Sequence, residues 1–124
     1  MKKIAFLFGT RPEAIKLSPL IKVFKNSNTF DVQICSTGQH KEMLAKILPL
    51  FNLKIDVDLN LMTHGQSLAN FTSLAIKEIE TFLATEKPDY IVVQGDTSTV
   101  FAAALAAFYQ KIKVIHIEAG LRTL

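Results

Sequence analysis

The stretch Ile4-Ala-Phe-Leu-Phe-Gly-Thr-Arg-Pro-Glu13 decides the fold of this chain. Its first five residues are all apolar, which is typical of a strand buried on both faces of a sheet. Gly9 ends the apolar run, and Pro12 suits the first turn of a helix, where its missing N–H would have no partner anyway. The stretch therefore predicts a buried strand, a short loop and the start of a helix.

The same alternation continues along the whole sequence. Short apolar runs predict five strands, the third of them weaker and edge-like, at 4–8, 32–35, 56–59, 90–93 and 114–117. Helical spacing of apolar residues predicts helices between them, at 14–24, 41–48, 68–84 and 97–109. Pro19 requires a kink or a restart in the first helix, and Ser67 is a good cap for the third.

Strands that alternate with helices imply a parallel sheet covered on both faces. Because the crossover connections between parallel strands are right-handed, the expected architecture is a doubly wound, Rossmann-like α/β domain. Its common strand order is 3-2-1-4-5, which places strands one, four and five side by side. Ligands of such sheets bind outside the carboxyl ends of the strands, so polar residues that follow these three strands are candidates for a site.

Composition excludes several classes of protein. The 124 residues are 49% hydrophobic and carry a formal net charge of +3 without a Lys/Arg run, which argues against disorder and against a nucleic-acid partner. No stretch approaches the roughly 20 apolar residues of a membrane helix. Cys35 is the single cysteine, so we expect a buried thiol, no disulfide and a cytoplasmic protein. No histidine or carboxylate spacing indicates a metal site.

The loop after strand one carries two cations. Arg11 lies at the predicted helix start, where free N–H groups and the helix dipole favour an anion, and Lys16 follows about one turn later. Together they suit a diphosphate, which Arg binds through its fork geometry and Lys as a point charge. The alternative from spacing alone is a solvated helix start with Arg11 paired to Glu13.

Carboxylates follow strands four and five. Asp96 and Glu118 are candidates for a general acid/base pair at neighbouring strand ends. Each has a structural alternative: Asp96 or Thr97 can cap the next helix, and Glu118 can form an ion pair with Arg122.

Three further polar residues are less specific. Gln39 and His40, in the loop after strand two, are candidates for ligand contacts and equally for a helix-cap region. His116 falls inside strand five, where we expect a hydrogen-bonded core residue.

Three segments together resemble a known family. Gly-Thr-Arg-Pro-Glu at 9–13 with Lys16, Gln-Gly-Asp-Thr at 94–97 and His-Ile-Glu-Ala-Gly-Leu-Arg-Thr at 116–123 are similar to signatures of bacterial non-hydrolysing UDP-N-acetylglucosamine 2-epimerases. The segments 36–40 and 65–68 also look like family segments, so the resemblance extends over nearly the whole chain in order. Thr-Arg-Pro at 10–12 favours the non-hydrolysing branch, since hydrolysing relatives typically carry Ser-Arg-Ala there.

The resemblance implies an isomerase that interconverts UDP-N-acetylglucosamine and UDP-N-acetylmannosamine without a metal or cofactor, for cell-envelope polysaccharide synthesis. UDP would be eliminated to leave a 2-acetamidoglucal and then added back. It implies Arg11 and Lys16 near the diphosphate, with Asp96 and Glu118 as acid/base groups. It also implies a glycosyltransferase-B arrangement of two Rossmann-like domains, homodimeric when complete, of which residues 1–124 would be part of the first. The chain alone is then expected to be inactive.

Other readings of the residues are weaker or remain open. A nicotinamide dehydrogenase is disfavoured because the first loop lacks Gly-x-Gly-x-x-Gly. A phosphorylation receiver would have its acidic pair at the end of strand one, where Gly9, Thr10 and Arg11 stand. A glycosyltransferase of the same architecture and a non-catalytic nucleotide-binding fragment are the two alternatives.

Overall fold

The computed structural model describes residues 1–118 as five parallel strands that alternate with helices. A short 3-10 helix, Leu48–Phe51, directly follows the second α-helix. The elements in chain order are β1 (Lys2–Phe8), α1 (Arg11–Asn26), β2 (Phe30–Ser36), α2 (Lys41–Ile47), β3 (Val57–Asp58), α3 (Leu68–Glu86), β4 (Tyr90–Gln94), α4 (Ser98–Gln110) and β5 (Lys113–Ile117). The strand order is β3-β2-β1-β4-β5, which confirms the predicted doubly wound, Rossmann-like sheet.

Strand β1 is the centre of the sheet. It pairs in parallel with β2 on one side and with β4 on the other. Successive side chains of a strand point to opposite faces, so β1 supplies both halves of the core. Ala5 and Leu7 join the apolar cluster that includes α3 and α4, whereas Phe6 and Phe8 join the cluster that includes α1. This two-sided burial explains the uninterrupted apolar run that begins at Ile4.

Helix α1 runs unbroken past Pro19, so the restart that this proline suggested does not occur. A proline inside a helix costs about 3 kcal/mol because one hydrogen bond is lost. The same helix buries Ala14, Leu17 and Ile21 against the sheet, and full burial of each large aliphatic side chain contributes roughly 1.5–3 kcal/mol. Packing of this face of α1 therefore more than offsets the cost of Pro19 inside the helix.

Three smaller expectations, a helix cap, an edge-like third strand and a buried thiol, are also confirmed. Ser67 caps α3 by accepting a hydrogen bond from the N–H of Asn70. Strand β3 has two residues and lies at the edge of the sheet. Cys35 is fully buried, and burial, with a smaller contribution from the charge of Asp58, raises the pKa of its thiol. Within residues 1–118, no helix is both long and apolar enough to cross a membrane.

Candidate functional site

An open cleft of about 280 Å³ lies at the carboxyl ends of β1, β4 and β5. Four of the six predicted site residues line it: Lys16 from α1, His40 from the start of α2, Asp96 from the loop after β4, and Glu118 from the end of β5. The other lining residues come from the same loops and helix starts and from the last position of β4; they are Thr10, Pro12, Glu13, Gln94, Gly95 and Thr97.

The loop after β1 is fixed by close contacts and by a cap. A Cβ atom at Gly9 would collide with Thr37 Oγ1, so only glycine fits where β1 passes into the loop. Thr10 is the N-cap of α1 and forms a reciprocal capping box with Glu13. The Glu13 carboxylate is buried and accepts hydrogen bonds from the N–H groups of Gly9 and Thr10. The alternative pairing of Arg11 with Glu13 is therefore wrong, because the capping box occupies the carboxylate.

Lys16 and Glu118 form an ion pair across the cleft, with Lys16 Nζ 3.0 Å from Glu118 Oε2. Both side chains remain partly exposed, at 49% and 37%, so a ligand can reach either group. Glu118 has a φ of 58°, in the left-handed region that non-glycine residues rarely adopt. The alternative pairing of Glu118 with Arg122 lies outside the described residues.

Asp96 is exposed at the rim of the cleft. Thr97, not Asp96, caps α4: its hydroxyl accepts a hydrogen bond from the N–H of Val100. The Asp96 carboxylate has no hydrogen-bond partner within residues 1–118. A helix cap is therefore not its role, and its oxygens are available to a ligand.

Of the remaining predicted residues, His40 lies in the cleft, whereas Arg11 and Gln39 lie outside it. His40 lines the cleft and its Nδ1 accepts a hydrogen bond from the backbone N–H of Arg11 at 3.3 Å. It stands at the N-cap position of α2, but its side chain makes no capping bond. Arg11 itself is exposed and does not line the cleft, and Gln39 lies in a neighbouring cavity with its Oε1 accepting from Thr99 Oγ1. The structure thus does not bring Arg11 and Gln39 into the cleft.

His116 differs from its expected place in the core. It is exposed because, within residues 1–118, β5 lies at the edge of the sheet. The expected hydrogen bond is present, between its Nε2 and the carbonyl oxygen of Gly95 at 2.6 Å. No group of three His, Cys, Asp or Glu side chains within residues 1–118 is arranged to hold a metal ion.

Two residues that organise the cleft were missed from the sequence. Glu13 was considered only as a partner of Arg11, and Thr97 only as a cap. Thr10 and Glu13 are spaced as Thr-x-x-Glu, the pattern of a capping box, so this signal was present in the sequence. The contact between Glu13 and Thr97 spans 84 positions and carries no local signal.

The fold and the cleft define a Rossmann-like α/β domain with a lysine and several carboxylates at the carboxyl ends of its strands. Residues 22–124, most of the chain, match the family model described as UDP-N-acetylglucosamine 2-epimerase. The chain therefore belongs to the UDP-N-acetylglucosamine 2-epimerase family.

Individual relatives agree with this family. A UDP-N-acetylglucosamine 2-epimerase of Salmonella borreze is 54% identical over 99% of this chain and 32% of its own length. The structure of the Neisseria meningitidis UDP-GlcNAc 2-epimerase bound to UDP-GlcNAc superimposes with a TM-score of 0.93, at 53% identity, over 98% of this chain and 33% of that one. The Methanocaldococcus jannaschii enzyme in complex with UDP-GlcNAc and UDP gives a TM-score of 0.89, at 43% identity, over 97% and 33%. The chain spans about one third of these relatives.

Proposed function

We propose that this chain carries part of the active site of a non-hydrolysing epimerase that interconverts UDP-N-acetylglucosamine and UDP-N-acetylmannosamine. The observation that carries the proposal is the cleft itself, where Lys16 stands with Asp96 and Glu118 at the ends of adjacent strands. Similarity to relatives named for this activity, two of them with UDP-GlcNAc bound, supports the same substrate.

The reaction needs what the cleft contains. A base removes the proton at carbon 2 while the bond from carbon 1 to the diphosphate oxygen breaks, which leaves UDP and a 2-acetamidoglucal. A proton then returns to carbon 2 on the opposite face, and UDP adds back at carbon 1. Asp96 and Glu118 are proposed as the two proton-transfer groups, since a carboxylate placed on each face serves one direction of transfer. No electrons are exchanged, so the proposal invokes no redox cofactor.

Lys16 is proposed to bind the departing diphosphate. Lys16 belongs to the second turn of α1, near the amino end of the helix, where the helix dipole adds positive potential. A cation placed where negative charge develops stabilises the transition state more than the ground state. His40 is proposed as a further substrate contact, and Arg11 and Gln39 as contacts to parts of the nucleotide that extend beyond the cleft.

The remaining elements of the active enzyme are proposed to lie in a second Rossmann-like domain, in a glycosyltransferase-B arrangement that closes over the cleft. The support is that this chain spans about one third of its relatives and that the cleft is open to solvent. We further propose that the complete enzyme is a cytoplasmic homodimer that supplies envelope polysaccharide synthesis.

A hybrid enzyme tests the function. Residues 1–124 of this chain replace the aligned segment of the Neisseria meningitidis relative, and the hybrid is incubated with UDP-N-acetylglucosamine alone. We expect UDP-N-acetylmannosamine to form, and NMR signals of the sugar protons would detect it. Asp96→Asn should lose most of the rate, about 100-fold or more. Asp31→Asn, an exposed carboxylate at the amino end of β2, is the matched control and should retain it.

A glycosyltransferase would give no epimer under these conditions, because no acceptor is present. A folded hybrid that leaves UDP-N-acetylglucosamine unchanged, while the parent relative converts it, would contradict the proposal.

A further inference from the structure

Glu13 is a buried carboxylate whose partners are all neutral. Its exposed fraction is 1%, and none of the ion pairs found within residues 1–118 includes it. Its Oε1 accepts hydrogen bonds from Gly9 N, Thr10 N and Thr10 Oγ1 at 2.8–3.0 Å, and its Oε2 accepts one from Thr97 Oγ1 at 2.8 Å. A buried charge is costly unless it is fully hydrogen-bonded, so these four donors determine where the carboxylate lies.

The two threonines are the caps of different helices. Thr10 Oγ1 accepts from the N–H of Glu13 in α1, and Thr97 Oγ1 accepts from the N–H of Val100 in α4. Each hydroxyl uses its lone pairs for its own helix and directs its proton to Glu13. One carboxylate therefore joins the starts of the helices that follow β1 and β4.

Asp96 lies between this junction and β5. On one side, Gly95 donates its N–H to Ile117 O, and its carbonyl oxygen accepts from His116 Nε2. On the other side, Thr97 is bonded to Glu13. The Asp96 side chain has no partner of its own within residues 1–118, so its direction depends on how its two neighbours are held.

We propose that Glu13 is a positioning residue, which sets the place of Asp96 in the cleft through the hydroxyl of Thr97. The proposal rests on the proposed function only where it assigns Asp96 to proton transfer. The positioning itself is a property of residues 1–118.

Substitution of either partner tests the positioning on the chain as it is. In Glu13→Gln, one acceptor oxygen becomes an NH₂ donor, so either the Thr97 side or the Gly9 side must lose its acceptor. In Thr97→Val the linking hydroxyl is absent, whereas Thr97→Ser retains it. Ser67→Ala is the matched control, because it removes a helix cap of the same kind on α3, away from the cleft.

Backbone amide NMR of residues 1–124 provides the first readout. Glu13→Gln is expected to shift the signals of Asp96 and Thr97, 83 and 84 positions away, and Thr97→Val is expected to shift those of Gly9 and Thr10. Thr97→Ser should stay close to the unsubstituted chain, and Ser67→Ala should change only signals near the start of α3. If Glu13→Gln does not fold, Thr97→Val still tests the hydrogen bond between Thr97 Oγ1 and Glu13 Oε2, because Glu13 is retained.

Kinetics of the hybrid enzyme provide the second readout. Misplacement of a catalytic group lowers kcat, so Thr97→Val should reduce kcat about 10- to 100-fold with little change in the KM for UDP-N-acetylglucosamine. Thr97→Ser should restore kcat, and Ser67→Ala should leave it unchanged.

Two results overturn the proposal: unshifted Asp96 signals in a folded Glu13→Gln chain, or a Thr97→Ser variant as impaired as Thr97→Val. If the shifts occur but the unsubstituted hybrid lacks epimerase activity, the proposed function fails while the positioning of Asp96 stands.

Discussion

Lys16 Nζ lies 3.0 Å from Glu118 Oε2, and this ion pair joins the second turn of α1 to the end of β5 across the cleft. The two residues are 102 positions apart and meet because β4 alone separates β1 from β5 in the sheet. A bound diphosphate would offer Lys16 a second anion, in competition with Glu118. If Lys16 binds the diphosphate as proposed, binding would therefore alter the ion pair of Glu118, a proposed acid/base group.

Replacement of Lys16 should affect activity far more than stability. An exposed ion pair contributes at most about 1 kcal/mol, so Lys16→Met should change the free energy of unfolding by less than that. In the hybrid enzyme the same change should lower kcat roughly 100- to 1,000-fold, as expected when one electrostatic stabiliser of the transition state is removed. Urea unfolding and steady-state kinetics give the two values.

Lys22→Met is the matched control, because Lys22 is an exposed lysine of the same helix outside the cleft. It should alter neither quantity substantially. Equal activities for the Lys16 and Lys22 variants would show that Lys16 does not take part in the reaction.

Gly9→Ala should destabilise the fold by steric conflict. The added Cβ would collide with Thr37 Oγ1 and lie 3.0 Å from Thr99 Oγ1, and both threonines are fully buried. Overpacking of this kind costs about 1–3 kcal/mol. Because Thr37 is the obstacle, the double variant Gly9→Ala/Thr37→Ala should be more stable than the sum of the two single changes predicts.

Urea unfolding of the two single variants and the double variant measures this coupling, and Gly65→Ala is the control. Gly65 has a φ of 73° with no atom near the added Cβ, so alanine there should cost about 1–2 kcal/mol through backbone strain alone. It should show no coupling to Thr37→Ala. Strict additivity for Gly9→Ala and Thr37→Ala would refute the steric explanation.

Stability should fall at alkaline pH through Cys35. Burial, and then the charge of Asp58, raise the pKa of this thiol in the folded chain. Below its ordinary pKa of about 8.5, both states hold the proton and the thiol adds no pH dependence. At higher pH the unfolded chain releases the proton while the folded chain keeps it, so stability falls by up to about 1.4 kcal/mol per pH unit.

Urea unfolding between about pH 8 and pH 10 measures this slope. Cys35→Ala isolates it, since every other titrating group is retained, and the variant should lose less stability across the range than the unsubstituted chain. Parallel curves for the two proteins would show that the thiol does not titrate differently in the two states.

The fold could be predicted because its determinants are local. The apolar run from Ile4, the spacing of the helices and the caps each act over a few residues, and right-handed crossovers leave few topologies. The strand ends then indicated which loops meet, which is why Lys16, Asp96 and Glu118 were expected together and do line one cleft.

The side-chain partners could not be predicted in the same way. Glu13 was assigned to Arg11 by proximity in sequence, yet buried donors from its own capping box and from Thr97 occupy it. The apolar pattern of β5 does not reveal that, within residues 1–118, this strand lies at the edge of the sheet, so the exposure of His116 was missed. These features depend on contacts between distant segments.

Proton exchange at carbon 2 of the sugar tests the central claim most directly. The hybrid enzyme is incubated with UDP-N-acetylglucosamine in D₂O, and deuterium at carbon 2 of the product is measured by NMR and mass spectrometry. If Asp96 and Glu118 transfer that proton, the UDP-N-acetylmannosamine formed should carry solvent deuterium at carbon 2, and Asp96→Asn and Glu118→Gln should each slow its incorporation about 100-fold or more. Formation of the epimer without deuterium at carbon 2 would contradict the account. Incorporation of deuterium at an undiminished rate in both variants would contradict it as well.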